Sequence, residues 1–200
     1  MSNELTRKKL DVQSMVGLGV LTAIVIVLQA VASQIKFGTF SITLVLAPIV
    51  IGAAMYGWKA GTWLGLVFGI MVLISGDAAP FMTVNAPGTV ITVLLKGALA
   101  GLAAGLVYKL LEKWNQWIAV ICAGIVCPVV NTGIFLIGCR LFFWNTIKEW
   151  GAGTGYSNVG KYILFGLVGT NFLVELGINM VLSTTIVRIL NSIKKPSDNN

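Results

Sequence analysis

The sequence predicts an all-α integral membrane protein with six transmembrane helices and with both termini in the cytoplasm. Of its 200 residues, 56% are hydrophobic and only 10% are charged, whereas an average soluble domain has about a quarter charged residues. At about 20 apolar residues per crossing, a chain of this length holds about six helices. We therefore expect one membrane domain over residues 1–200, and any energy source must be a partner protein or a gradient.

The first three predicted helices cover about residues 15–33, 42–56 and 61–75. Helix 1 follows a basic segment that is typical of a cytoplasmic flank. Its residues Gly19 and Ala23 lie four apart, so one face lets another helix approach closely, either inside this bundle or on another subunit. Helix 2 contains a proline, and a very short inner turn joins it to helix 3. Helix 3 carries a close-packing ridge of glycines at four-residue spacing, Gly61, Gly65 and Gly69.

The last three predicted helices cover about residues 89–111, 117–142 and 162–190. An outer loop with two prolines and two glycines precedes helix 4 and should dip in part toward the bundle. Helix 4 repeats the glycine ridge of helix 3. Helix 5 contains Pro128, which frees a backbone carbonyl and can kink the segment. An aromatic, glycine-rich outer connection then leads to helix 6.

The distribution of basic residues supports this topology, because cytoplasmic helix ends carry more Lys and Arg than outer ends. With both termini inside, nine of the 14 basic residues fall on inner flanks and four on outer flanks. The net charge of +7 therefore reflects orientation in the membrane. We expect the basic residues to lie at the surface of the lipid bilayer, and we expect no nucleic-acid partner.

The residue types argue against catalysis and metal binding. The chain has no histidine, which removes the commonest metal ligand and the usual general base. Its three cysteines lie in one apolar segment without a paired CxxC, and small apolar packing residues are the simpler interpretation. There are no paired aspartates, and no Ser or Cys has a base nearby in sequence. We expect no enzyme activity, no metal site and no cofactor.

Polar side chains interrupt three of the predicted helices at a similar depth. Lys96, Asn131 and Asn171 lie roughly 10 to 16 Å below the outer surface, at about 1.5 Å of rise per residue. Glu175 lies one turn deeper on the same face as Asn171. A charge that faces lipid costs about 2.5 to 3.5 kcal/mol on insertion scales. We therefore expect these side chains to face inward together.

This arrangement predicts an outward-facing pocket for a small, polar, hydrogen-bonding solute. Asn85 and Thr89 should lie near its mouth, and aromatic residues of the outer connections, Trp144 among them, should wall it. A second interpretation is that Lys96 and Glu175 form a structural ion pair while the asparagines bridge helices. The two interpretations can overlap.

The order of these features resembles the substrate-binding S components of energy-coupling factor (ECF) vitamin transporters. The resemblance covers nearly all of the chain. Its matching parts are the small residues of helix 1, the block at 43–61, the step Lys96-Gly97 before the second glycine ridge, and the closing stretch 171–179.

The resemblance implies a six-helix protein of the cell membrane that binds a vitamin or similar micronutrient from outside. It also implies association with a transmembrane coupling subunit and two cytoplasmic ATPase subunits. In that family, an A-x-x-x-A pattern in helix 1 contacts the coupling subunit. Here Gly19 and Ala23 occupy those positions, so the resemblance assigns them to the partner interface.

Among the vitamin branches, the chain looks most like the pantothenate group. That ligand has hydroxyls, an amide and a carboxylate, which suits a pocket lined by asparagines, a threonine and one lysine. A riboflavin or pyridoxine type of ligand would also use the outer aromatic residues Phe81, Trp144 and Tyr156, and it stays open.

A proton-coupled secondary transporter is the main alternative function. Lys96 and Glu175 inside the membrane are what a proton relay needs. Such carriers are usually built from two related halves, but only the glycine ridges of helices 3 and 4 resemble each other here.

Overall fold

A computed structural model describes the backbone of residues 2–34, 36–37, 40–41, 44–156 and 158–194, with side chains over 12–34, 44–156, 158–169, 172–182 and 185. Nearly all of this part is helical. A two-residue antiparallel ladder, β1 (Lys36–Phe37) with β2 (Phe40–Ser41), follows the first helix. A π-helical segment, Tyr162–Val168, joins the last two helices. The α-helices are α1 (Ser2–Ala32), α2 (Leu46–Tyr56), α3 (Trp58–Ile74), α4 (Ala79–Met82), α5 (Ala86–Leu111), α6 (Gln116–Phe142), α7 (Trp144–Gly153), α8 (Val159–Lys161) and α9 (Gly169–Lys194).

Three helices in the described part are long and apolar enough to cross a membrane, namely Val12–Ala32, Ala86–Leu111 and Gln116–Phe142. A fourth crossing is counted if Val159–Val168 and Phe172–Leu182, which are inclined by 43° to each other, act as one broken span. Helices α2 and α3 are apolar but shorter. The 11 residues of α2 rise about 16 Å, roughly half of the hydrocarbon thickness. The chain is an all-helical membrane protein.

The starts of the first two helices differ from the sequence-based expectation. The backbone is helical from Ser2, well before the expected start near residue 15. Helix α2 begins at Leu46 rather than near residue 42, and residues 42–43 lie outside the described part. Pro48 therefore sits in the first turn of α2, where its missing N–H removes no hydrogen bond. Gly57 then reverses the chain with a φ of 87°, a conformation that glycine adopts without steric strain.

Two connections that the sequence predicts on the outer side contain short helices, α4 and α7, where a loop is expected. Both helices bury apolar side chains: Phe81 of α4 is 4% exposed and Ile147 of α7 is fully buried. Phe143, Ile147 and Trp150 recur at three- and four-residue spacing, which is the pattern of an amphipathic helix. These residues build an outer apolar cluster, and its members include Phe81, Cys139, Phe143, Ile147, Tyr162 and Leu167.

The glycine ridges of α3 and α5 face each other at the closest helix contact. A Cβ atom added to Gly65 would overlap the carbonyl oxygen of Gly97, and one added to Gly97 would overlap that of Gly65. Gly61 and Gly101 stand in the same reciprocal relation one turn further along. The two backbones are therefore in direct contact, as small residues at helix interfaces in membranes permit.

The main apolar core joins α1, α2, α3, α5 and α6. Its buried residues include Val25, Leu46, Ile49, Leu64, Phe68, Val93, Ala100, Ala104, Val120 and Ala123. The outer apolar cluster lies on the other side of a cavity, which is bordered by Phe68 and Val93 from the core and by Phe81 and Leu167 from the outer cluster.

Candidate functional site

A cavity with about 710 Å³ of empty space, its open mouth included, lies between the two apolar clusters. We call it the Lys96 cavity. Six parts of the chain contribute to its wall: α1, the segment from α3 to α4, α5, α6, the π-helical segment and α9. The lining residues are Gln29, Phe68, Val72, Asp77, Ala78, Phe81, Val93, Lys96, Asn131, Thr132, Phe135, Leu167, Val168, Phe172 and Glu175.

One cation and two carboxyl groups line the Lys96 cavity. The ammonium of Lys96 lies 5.7 Å from the ring centroid of Phe68 and 5.4 Å from that of Phe135, within the range of cation–π attraction. The two carboxyl groups are those of Glu175 and Asp77. The cavity thus offers a cation to an anionic group of a ligand. The second interpretation of the sequence, an ion pair between Lys96 and Glu175, involves two residues that line this same cavity.

Two primary amides supply neutral hydrogen-bonding groups to this wall. Gln29 is 1% exposed and donates a hydrogen bond from Nε2 to Oδ2 of Asp77. Asn131 is 6% exposed. The oxygens Oε1 of Gln29 and Oδ1 of Asn131 have no hydrogen-bond partner among the described residues. Buried polar atoms in native proteins nearly always have a partner, and both of these residues line the Lys96 cavity.

Aromatic rings form part of the apolar wall of the cavity. Phe81 contacts Phe135 edge-on with ring centroids 5.5 Å apart, Phe143 at 5.0 Å and Trp150 at 5.4 Å. Such edge-to-face contacts fix the orientation of a ring beyond what simple burial does. The ring of Phe81 is therefore held in place by residues of α6 and α7 and of the segment between them.

The structure brings three of the sequence-predicted site residues together, since Lys96, Asn131 and Glu175 all line the Lys96 cavity. They come from α5, α6 and α9 respectively. The side chain of Asn171 lies outside the described residues. Contact of these residues with a ligand stays a prediction.

The structure places the other three predicted residues away from the lining. Asn85 is the N-cap of α5, where its side chain accepts a hydrogen bond from the backbone N–H of Gly88 at 2.9 Å. Thr89 is 1% exposed and donates from Oγ1 to the carbonyl oxygen of Asn85 at 2.8 Å. The ring of Trp144 lies 4.5 Å from the guanidinium of Arg140 and 5.6 Å from the ammonium of Lys148. A ligand role for these three also stays a prediction.

Sequence reasoning missed Gln29 and did not assign Asp77 to the site. Gln29 is a lone amide in an apolar stretch of helix 1, and the argument that polar groups avoid lipid could have found it. The sequence carries no comparable signal for Phe68 or Phe172, because aromatic residues are common on every face of a membrane helix.

The small residues Gly19 and Ala23 lie on an exposed face of α1. A Cβ atom added to Gly19 would meet no atom within 4 Å. Neighbouring residues on α1 are exposed as well, Val16 at 62% and Val27 at 58%. This face is therefore open to lipid or to another protein in the described part of the chain.

Comparison with known proteins identifies two matches. The family model described as "ECF transporter, substrate-specific component" matches residues 13–187. A curated protein, the pantothenic acid transporter PanT of Lactococcus lactis subsp. cremoris, is 28% identical over 169 residues, which cover 78% of this chain and 80% of that protein.

Proposed function

The chain belongs to the substrate-specific components of ECF transporters, and from this premise we propose that it binds pantothenate in the Lys96 cavity. Membership makes it a multi-pass protein of the cell membrane with a transport function, not an enzyme. It also places the chain beside an ECF module. In the proposal, that module is a transmembrane coupling subunit with two cytoplasmic ATPase subunits, and pantothenate is captured from outside.

The observation that carries this proposal is the combination of one cation with hydrogen-bond acceptors in a single cavity. Lys96 offers its charge to the carboxylate of pantothenate. Gln29 and Asn131 have buried amide oxygens without a partner among the described residues, which suits the hydroxyl and amide N–H donors of that ligand. Phe81 and Phe135 give an apolar wall to its gem-dimethyl group. The similarity to a pantothenic acid transporter supports the same choice.

We further propose six crossings with both termini in the cytoplasm. The three long helices account for three crossings, and the broken pair at Val159–Val168 and Phe172–Leu182 accounts for a fourth. Helices α2 and α3 then supply the two short crossings, and α3 lines the cavity with Phe68 and Val72. The excess of basic residues on the proposed inner flanks supports this orientation.

A vitamin screen tests the proposed substrate. The purified protein is heated with pantothenate, riboflavin, thiamine, biotin or pyridoxine, and its melting temperature is recorded. A ligand at a hundred times its dissociation constant stabilises the folded state by about 2.7 kcal/mol. We expect pantothenate alone to raise the melting temperature. A shift with riboflavin or pyridoxine and none with pantothenate would replace the substrate but keep the family function.

The exposed face of α1 is the proposed contact with the coupling subunit, and Ala23→Leu tests it. A leucine adds three carbon atoms to a face that another helix must approach closely. We expect uptake of labelled pantothenate by cells with the complete transporter to fall at least about tenfold, because the leucine keeps the helices apart. Binding of pantothenate to the purified chain should not change.

Val129→Leu is the control, because Val129 is an exposed apolar residue of α6 and lies outside the proposed contact on α1. It should leave uptake intact. Uptake that persists in Ala23→Leu, or that persists in cells without the ATPase subunits, would contradict this part of the proposal and would favour a carrier driven by a proton gradient.

A further inference from the structure

The amide of Gln29 is held in one orientation by its neighbour. Gln29 lies on α1, and its Nε2 donates to the Asp77 carboxylate in the turn between α3 and α4. An ionised carboxylate only accepts hydrogen bonds. The nitrogen of the amide therefore faces Asp77. The hydrogen bond to Asp77 thus decides which end of the amide is nitrogen and which is the oxygen Oε1.

The oxygen of this amide has no hydrogen-bond donor among the described residues. Oε1 of Gln29 is shielded from water and has no hydrogen-bond partner among the described residues. The whole side chain is 1% exposed, although Gln29 lines the Lys96 cavity. The group is an acceptor in a wall to which Asp77 and the apolar residues Phe68, Val72 and Phe81 also contribute.

A second amide oxygen, on another residue that lines the cavity, also has no hydrogen-bond donor among the described residues. Oδ1 of Asn131, on α6, is also buried without a partner among the described residues. Lys96 belongs to the same lining and carries the cationic group. The wall thus holds one cation, two carboxyl groups and two amide oxygens without a donor, so it suits a ligand with at least two O–H or N–H groups and one anionic group placed at Lys96.

We propose that Gln29, oriented by Asp77, binds the substrate directly by accepting a hydrogen bond from one of its hydroxyl or amide N–H groups. This inference rests on the proposed function, since it concerns the same cavity. It adds α1 to the elements that touch the ligand and makes Gln29 a specificity-determining residue. A ligand that is similar in shape but lacks that donor leaves the amide oxygen unpaired and binds more weakly.

The test compares Gln29→Met with the wild type by titration calorimetry of the purified full chain. Methionine has a similar length and no amide, so it occupies about the same space in the cavity wall and removes the oxygen that would accept a hydrogen bond. The ligands are pantothenate and three analogues that each lack one donor, two with a hydroxyl replaced by hydrogen and one with a methylated amide nitrogen. We expect Gln29→Met to weaken pantothenate about 3- to 10-fold, as for one neutral hydrogen bond.

The analogues distinguish a direct contact between Gln29 and the ligand from a role of Gln29 in stabilising the fold. One of the three should bind equally well to the wild type and to Gln29→Met, because it lacks the donor that Gln29 would accept from. A purely structural role predicts equal weakening of pantothenate and of every analogue, together with a lower melting temperature of the ligand-free variant. That result, or unchanged affinity of Gln29→Met for pantothenate, would overturn the proposal.

Ser33→Ala is the matched control. Ser33 is 5% exposed, lies one turn further along from Gln29, and donates from Oγ to the carbonyl oxygen of Ala30. It does not line the Lys96 cavity, so pantothenate affinity should not change. If Gln29→Met does not fold, Gln29→Asn replaces it, because it withdraws the oxygen by one methylene and should give the same loss of affinity.

The outcomes for Gln29 and for the proposed function are distinct. Binding of pantothenate to the wild type tests the proposed function alone. If a different vitamin of the screen binds, the ratio of its affinities for Gln29→Met and wild type tests Gln29 in the same way, with weakening expected. If none of the five vitamins binds the wild type, both proposals are overturned.

Discussion

Replacing Lys96 with methionine should weaken pantothenate binding by about 100-fold. Removal of one partner of a desolvated charge pair costs about 2 to 5 kcal/mol, and a hundredfold change corresponds to about 2.7 kcal/mol. The loss is large here because Glu175 and Asp77 line the same cavity and repel a carboxylate once the ammonium is gone. Titration calorimetry on the purified variant measures the change.

Two controls isolate the charge contact. Lys148→Met removes an exposed lysine that lies over Trp144 and outside the cavity lining, so affinity should stay at the wild-type value. Pantothenol, which has an alcohol in place of the carboxylate, should bind wild type and Lys96→Met with affinities within about threefold of each other. Equal losses for pantothenate and pantothenol would show that Lys96 supports the cavity instead of holding the carboxylate.

The Gly65→Ala substitution should destabilise the protein by about 3 kcal/mol, at the upper end of the usual range for overpacking. The added methyl would overlap the carbonyl oxygen of Gly97. That atom belongs to a backbone and cannot move aside by changing rotamer, so α3 and α5 must separate. Unfolding of the purified variant by heat or by denaturing detergent measures the loss.

Gly177→Ala is the control for this substitution. Gly177 is an exposed glycine inside α9, and a Cβ atom added to it would meet nothing within 4 Å. Alanine is the better helix former, so this variant should be as stable as the wild type or slightly more stable. A Gly65→Ala variant as stable as Gly177→Ala would mean that the two backbones are not in contact.

The depth argument applied to the sequence located much of the cavity. Helix rise places Lys96, Asn131 and Asn171 at a similar depth, with Glu175 one turn deeper. Lys96, Asn131 and Glu175 line one cavity, and the side chain of Asn171 lies outside the described residues. The same argument extends to Gln29, whose burial on α1 follows from its hydrogen bond to a loop carboxylate. A contact between residues 48 positions apart leaves no local pattern in the sequence.

Polar residues near helix ends were harder to interpret. Asn85 was predicted at the mouth of the pocket, but its side chain caps α5. Asparagine is favoured at caps for a local reason, since its oxygen accepts from the first free N–H groups. The sequence Asn85-Ala-Pro-Gly has the composition of a helix start. Local capping and ligand binding use the same residue types, so composition alone does not separate them.

The ends of the helices and the structure of the connections between them are harder to predict, because they depend on tertiary burial that the sequence only partly encodes. Helix α7 forms because Ile147 and its neighbours cover the outer apolar cluster. The π-helical segment Tyr162–Val168 was not expected, because a shift in backbone hydrogen bonding leaves no apolar period to read. Such segments are often found at functional sites, and here Leu167 and Val168 line the Lys96 cavity.

The position of the substrate in the Lys96 cavity is measured directly by an experimental structure of the chain with bound pantothenate. We expect the carboxylate of pantothenate within about 4 Å of Nζ of Lys96, with a donor of the ligand on Oε1 of Gln29. Pantothenate bound outside the Lys96 cavity, or bound inside it with its carboxylate turned away from Lys96, would contradict the account.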